Sequence, residues 1–320
     1  MTSRHTLEGL LVDPIEGAGP GRVEWEGDRI VAVERLGDEG PLEPLVFPGF
    51  VDLHVYAPAG VAAQGVTGYL LATRSITEGA DDPLCLGLHL EGPFLNPAAA
   101  GALPVEELAP VDLGALEEWL ESGRVRLVTL SPELRGALPA IELVVGRGAV
   151  AAVGHSHANA ATTRAALDAG ARFATHLWNA MAPVRARSTG PIPTLLLDDR
   201  AVLGLIADGR HLHPRVEELT VRAAGPERIA LTSDLVARPA HRPEGSLLGG
   251  DRCGAALVAR MARFGLAEAA AMASLTPSRL LGLSDRGRIA PGYRADLAVL
   301  APGFAPLETF TGGVPVGDRA

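Results

Sequence analysis

The sequence predicts an α/β fold: a (β/α)8 TIM-type barrel without room for its first helix, joined to a small β-sandwich domain built from both chain ends. Three observations carry this reading. Short, near-continuously apolar runs recur eight times between about residues 46 and 234. The segments between them have mostly helical composition, and both ends of the chain have β-texture broken by Gly and Pro. Strands covered on both faces read as unbroken apolar runs, and their alternation with helices is the pattern of a parallel sheet.

In chain order, residues 1–46 contain LEGLLVD, GRVEWEGDRIVAVE and PLVF, with a hairpin signal at Glu26-Gly27-Asp28. The eight runs follow: VFPGFVDLHV, GVTGYLLAT, LCLGLHLEG, VRLVTLS, AVAAVGHS, RFATHLWN, AVLGLIADG and RIALTSD. Between the later runs lie the expected helices DLGALEEWLESG, PELRGALPAIELVVGRG, ATTRAALDAG and PRVEELTVRAAG. Only a short loop separates Tyr56 from Gly65, too little for a barrel helix at 1.5 Å rise per residue. The tail from 285 returns to β-texture. These shifts place a small β-domain at 1–46 plus 285–320 and the barrel at 47–284. The alternative, a doubly wound open sheet, would show a Gly-rich phosphate fingerprint after its first strand, and none is present.

Bulk properties narrow the function. A chain of 320 residues with 47% hydrophobic and 21% charged residues has ample core material. Its net charge of −10 argues against nucleic acid as a partner, although a small phosphorylated ligand needs only a few local donors. The only cysteines, Cys85 and Cys253, form no metal-binding or disulfide pattern. No run approaches the ~18 apolar residues of a membrane span, and the first residues lack a signal-peptide core. A cytoplasmic enzyme is the expectation.

Position in the chain is the strongest functional signal. The runs end in residues that bind metals or move protons: Asp52 and His54, His89 and Glu91, His155, His176, Asp208 with His211, and Asp234. In a (β/α)8 barrel the C-terminal strand ends converge on one mouth, which carries the active site. Two imidazoles and a carboxylate with open positions form a catalytic metal set. Zn2+ suits it best, and Fe2+, Co2+ or Mn2+ could take its place. A carboxylate such as Asp234 would then move a proton between water and a leaving amine, chemistry suited to an amide or related C–N bond.

At these positions the sequence resembles the N-acetylglucosamine-6-phosphate deacetylases, a branch of the amidohydrolase superfamily. The matching segments are PGFVDLH (48–54), HLEGPFLNP (89–97), GHS (154–156), ATHLWNAM (174–181), LIADGRHLHP (205–214), TSD (232–234), ASLTPSRLLGL (273–283) and GRIAPGYRADLAVL (287–300). The resemblance implies Glu91, His155 and His176 as ligands of one divalent metal and Asp234 as acid/base. It implies Asn179, the backbone of Ala180, Arg187 and His211 as the sugar-phosphate site, with Arg185 a rival for Arg187. The implied reaction is hydrolysis of the acetamide of N-acetyl-D-glucosamine 6-phosphate. Alternatives are a related amidohydrolase acting on another N-acyl or cyclic amide, and a degenerate barrel that only binds a sugar phosphate.

Departures from that pattern set further expectations. Tyr56 stands where the superfamily's first strand usually has a second His, so a single metal is expected, with His54 and His89 as minor ligands or supporting groups. Leu103 stands where relatives have a His that reaches the acetyl carbonyl. His157 occupies a place where relatives usually have Asn. The missing first helix would bare the outer faces of the first two strands, which predicts a homodimer.

Overall fold

The computed structural model describes residues 3–76, 81–241 and 247–318. The chain divides into two compact units, Met1–Asp52 with Pro58–Tyr69 and Arg252–Ala320, and Leu53–Ala57 with Leu70–Asp251.

The terminal unit is organised by a mixed seven-stranded sheet in the order β17-β16-β15-β4-β1-β2-β3. Its strands are β1 (Arg4–Asp13), β2 (Gly17–Glu26), β3 (Arg29–Arg35), β4 (Leu45–Pro48), β15 (Leu297–Leu300), β16 (Pro306–Thr311) and β17 (Val314–Pro315). The expected hairpin at 26–28 joins β2 to β3, with Gly27 at φ 58°. β4 pairs parallel with β1 and antiparallel with β15, so the two chain ends share one sheet. Leu11, Val23, Trp25, Ile30, Leu297 and Phe310 meet in its core. Three short helices, α6 (Ala255–Met261), α7 (Leu266–Ala270) and α8 (Thr276–Leu280), belong to the same unit.

The eight apolar runs form an eight-stranded sheet in which sequence order and spatial order coincide. They are β5 (Phe50–Val55), β6 (Val66–Thr73), β7 (Cys85–Glu91), β8 (Val125–Leu130), β9 (Val150–Val153), β10 (Phe173–Ala174), β11 (Val202–Leu205) and β12 (Ile229–Leu231). Pairing is parallel from β7 through β12. A parallel bridge between Val55 and Leu235 closes the circuit, and the Tyr56 and Ala57 amides donate to the Leu235 carbonyl at 2.9 and 3.0 Å. The sheet is therefore a (β/α)8 barrel.

The outer helices are α1 (Leu113–Glu121), α2 (Ala137–Gly146), α3 (Ala160–Asp168), α4 (Ile192–Leu197) and α5 (Pro214–Ala224). Asp112 and Asn159 cap α1 and α3 by accepting from the Ala115 and Thr162 amides. On α2, Ala137, Ala140, Ile141 and Val144 repeat at helical spacing and are buried in the core that fills this unit. Between β5 and β6 there is only a single 3-10 turn, Ala62–Gln64. Yet β5 is buried along its whole length and β6 along most of it, so the missing helix leaves no bare strands. The ground on which a homodimer was expected falls away. The compressed segment after Asp234 carries a two-residue ladder, β13 (Ala240–His241) with β14 (Leu247–Leu248), and 242–246 lie outside the described residues.

Arg228 shows how the helix ends are anchored. It is 9% exposed, and its guanidinium donates to the carbonyls of Leu196, Asp198 and Ala224, at the C-terminal ends of α4 and α5, and to that of Ala201 in the loop before β11. These are carbonyls that no helical N–H can reach. Arg228→Met keeps the apolar stem and removes every donor. The expected result is a loss of about 3 kcal/mol in urea unfolding, since each buried group left unpaired costs roughly 1–3 kcal/mol. A midpoint within error of the parent would show that these carbonyls find other partners.

Candidate metal centre

The functional side chains come from strand ends and the turns just past them. Glu91 is the last residue of β7, and His54 lies one residue before the end of β5. His155, His176 and Asp234 follow β9, β10 and β12, each with positive φ (47°, 31° and 50°). L-residues seldom adopt that conformation, and here it ends the strand just as the side chain enters the barrel mouth. The approach is close. At Gly154, beside His155, a Cβ would meet Thr129 Cγ2 at 2.5 Å. The Ser131 hydroxyl then holds the His155 carbonyl at 2.5 Å.

Glu91 is the centre of the cluster and is 3% exposed. Its Oε1 lies 3.0 Å from His155 Nε2, 2.9 Å from His176 Nε2 and 3.5 Å from His54 Nε2. Its Oε2 accepts from the Tyr56 hydroxyl. Potential ligand atoms of His54, Glu91 and His176 all fall within 4.8 Å of one another. His155 Nδ1 lies 2.9 Å from the Ala99 carbonyl, an acceptor only, so that nitrogen carries a proton. A neutral His155 consequently turns the Nε2 lone pair toward a carboxylate oxygen. Two acceptors at that separation require a proton or a cation between them, and a divalent ion fits this donor set of imidazole and carboxylate.

Charge follows the same logic. Burial would raise Glu91, but the neighbouring imidazoles of His54 and His155 hold it well below the usual carboxylate range. Burial would lower His155, but Glu91 and the Ala99 carbonyl raise it. Without a metal His155 is thus biased toward its protonated form near neutrality, and a metal must displace that proton. Metal uptake at pH 7 is expected to release protons and to weaken as pH falls. Calorimetric titrations in buffers of different ionisation enthalpy should give different apparent heats. Identical heats would mean that the ligands are already deprotonated.

Asp234 stands beside the cluster, with Oδ1 3.3 Å from His54 Nε2 and an 18% exposed side chain. It faces a cavity of about 730 Å3 lined by Glu91, His155, His176 and Asn179, among others. Ala180 and His211 also line it. The His211 ring donates from Nδ1 to Asp208 Oδ2 at 2.8 Å. Asp208 also accepts the Arg210 and His211 amides, and these donors, outweighing burial, hold its carboxyl at about 2. That pair fixes the imidazole edge turned to the cavity. His89 lies behind the cluster, fully buried against Leu53, His54 and Thr129.

Arg187 is exposed and does not line the cavity, whereas Arg238 does. Leu103 contributes an apolar patch to the wall, and His157 lines it from an exposed position. Sequence reasoning weighed Tyr56 only as a poor ligand and missed its bond to Glu91. The period of a strand was the available signal, since it puts residues 54 and 56 on one face.

The amidohydrolase family model matches residues 60–316. An N-acetylgalactosamine-6-phosphate deacetylase of Escherichia coli O157:H7 is 32% identical over 81% of this chain and 84% of its own length. An N-acetylglucosamine-6-phosphate deacetylase of Bacillus subtilis is 31% identical over 61% of this chain, and that match spans 59% of the relative. Among solved structures, a variant of the Mycobacterium smegmatis N-acetyl-D-glucosamine-6-phosphate deacetylase, in complex with N-acetyl-D-glucosamine 6-phosphate, superposes with a TM-score of 0.88. It is 30% identical and covers 98% of this chain and 99% of that one. The chain belongs to the metal-dependent amidohydrolase family, in the branch that holds the N-acetylglucosamine-6-phosphate deacetylases.

Proposed function

We propose that the chain hydrolyses the acetamide of N-acetyl-D-glucosamine 6-phosphate, giving D-glucosamine 6-phosphate and acetate. One observation carries this reading: a buried carboxylate and imidazole cluster shares a cavity with a partly exposed Asp234. Glu91, His155 and His176 would hold one divalent ion. Zn2+ is favoured by the donor set, and Fe2+, Co2+ and Mn2+ are accepted by the same chemistry. Such an ion acidifies a water and polarises the amide carbonyl. Asp234 accepts the water proton and returns it to the departing amine nitrogen as the C–N bond breaks. Leu103 offers the acetyl methyl an apolar wall but no donor for the carbonyl oxygen.

The phosphate end is read onto Asn179, the Ala180 amide and His211. Arg187 or Arg238 would supply the bidentate guanidinium. Residues 47–284 are read as the catalytic barrel and 1–46 with 285–320 as an accessory β-domain. Among the described residues no helix is long and apolar enough to cross a membrane. A cytoplasmic location belongs to the proposal because phosphorylated sugars do not cross membranes unaided.

The named activity of the Escherichia coli relative favours a second reading, the C4 epimer as substrate. Acetate release should be measured with both N-acetylhexosamine 6-phosphates and with unphosphorylated N-acetylglucosamine. Turnover of the gluco-phosphate at the highest kcat/KM is expected. Faster turnover of the galacto-phosphate would select the epimer, and no acetate from either above a chelated control would sink both readings.

A further inference from the structure

β8 brings no metal-binding side chain to the barrel mouth, yet the turn after it, Ser131-Pro132-Glu133, touches both segments that define His155. One is the 3-10 turn Pro97–Ala99, whose last carbonyl lies 2.9 Å from His155 Nδ1. The other is the stretch 155–158, which begins with His155 itself in the left-handed region.

Glu133 reaches both. Its Oε1 accepts from Asn96 Nδ2 at 2.8 Å and from the His157 amide at 2.6 Å, and its Oε2 accepts from the Ser156 hydroxyl at 2.8 Å. Two of these partners pass the grip on. Asn96 caps the 3-10 turn by accepting the Ala98 amide at 2.9 Å, and Ser156 Oγ accepts the Ala158 amide at 3.0 Å. Ser131 runs alongside: its hydroxyl accepts the Asn96 amide at 2.8 Å and donates to the His155 carbonyl. Bonds to a carboxylate are stronger than those between neutral groups, so Glu133 is the firmest point of this clasp.

His155 needs such a hold for two reasons. A non-glycine residue at φ 47° persists only where its surroundings over-determine it. Packing is also close, since a Cβ at Gly101 would meet His155 Cε1 at 3.2 Å and Ala180 Cβ at 3.3 Å. A small shift of the 97–101 segment would therefore move the ring. We infer that Glu133 is a positioning residue for the metal site. Its carboxylate ties the segment bearing the Ala99 carbonyl to the one bearing His155, and so aims His155 Nε2 at Glu91, 3.0 Å away. Glu133 does not line the cavity, so it acts on the site through those two segments. The inference rests on the reading of His155 as a metal ligand.

Zn2+ affinity, measured by competition with a chromophoric chelator, tests the role in a double-mutant cycle. Glu133→Met removes every acceptor at similar length and should weaken Zn2+ binding about 10- to 100-fold, the scale for losing a group that orients a metal ligand. Glu133→Gln keeps an oxygen for Asn96 and His157, and its amide can donate to a turned Ser156 hydroxyl, so it should restore most of the affinity. In a His155→Gln background the ligand to be aimed is gone, and Glu133→Met should cost little more. An equal loss in both backgrounds would mark a general structural effect and overturn the inference. So would parental affinity in Glu133→Met, or the same loss in the Met and Gln variants. Parental affinity in His155→Gln alone would strike His155 from the ligand set, a failure of the site reading that the cycle tells apart from failure of the clasp. Should Glu133→Met not fold, Asn96→Asp sets two carboxylates face to face while keeping the cap on the Ala98 amide. It should weaken Zn2+ binding in the parent and not in His155→Gln, and parental affinity in Asn96→Asp would sink the proposal.

Discussion

Asp234→Asn is expected to lower kcat by about 10²- to 10⁴-fold, the usual contribution of a positioned acid/base, while the protein keeps its full metal content. Asn has the same shape and can still accept a hydrogen bond through its amide oxygen, but it cannot take the proton of an attacking water. Asp234 is partly exposed and is not among the proposed ligands, so the exchange should disturb neither the metal nor the fold. KM should change little. Acetate release and metal analysis on one preparation separate the possibilities. Near-parental kcat would remove Asp234 from the mechanism, and loss of the metal would make it a ligand.

Glu91→Ala should have the next largest effect. It removes the one anionic donor that both His155 and His176 face at about 3 Å, so the imidazoles lose the carboxylate that holds them together. Changes to residues that merely support a metal ligand cost about 10- to 100-fold in affinity, and loss of the ligand itself should exceed that. The Tyr56 hydroxyl would lose its acceptor inside the site as well. Activity should fall in step with metal content, and excess Zn2+ should restore only part of it. A Glu91→Ala protein that purifies with a full metal equivalent would show that the ligand set lies elsewhere in the cavity.

Much of the barrel can be read from composition because strands covered on both faces have no polar side to interrupt them. All eight runs became strands, and the four helical segments became α1, α2, α3 and α5. β10 is shorter than its run, covering only Phe173 and Ala174, since His176, Trp178 and Ala180 all turn to positive φ. No propensity reports such a turn. The site was legible to the level of which residues meet, because strand-end position is a property of the chain. The proton on each imidazole was not legible. It depends on carbonyls such as those of Ala99 and Leu53, contributed by segments that sequence cannot align to within an ångström. The bare outer strands expected from the short Tyr56–Gly65 loop failed for a related reason. Burial of a strand depends on whatever the rest of the chain lays over it.

The left-handed residues at the barrel mouth bear on how this enzyme could be improved. Each residue held in such a conformation costs roughly 1–3 kcal/mol, and His155, His176, Trp178, Ala180 and Asp234 are all of this kind. Selection for thermal resistance alone would find relief here first, through glycine or through backbones that relax out of the turn. Four of these five residues belong to the proposed metal, acid/base and sugar-phosphate sites, so a hardier protein obtained that way would be a poorer catalyst. Trp178 alone has no assigned contact with metal or substrate. Its ring, however, packs against the barrel core and donates from Nε1 to the Thr220 hydroxyl at 2.9 Å, so backbone relief there would give up those contacts.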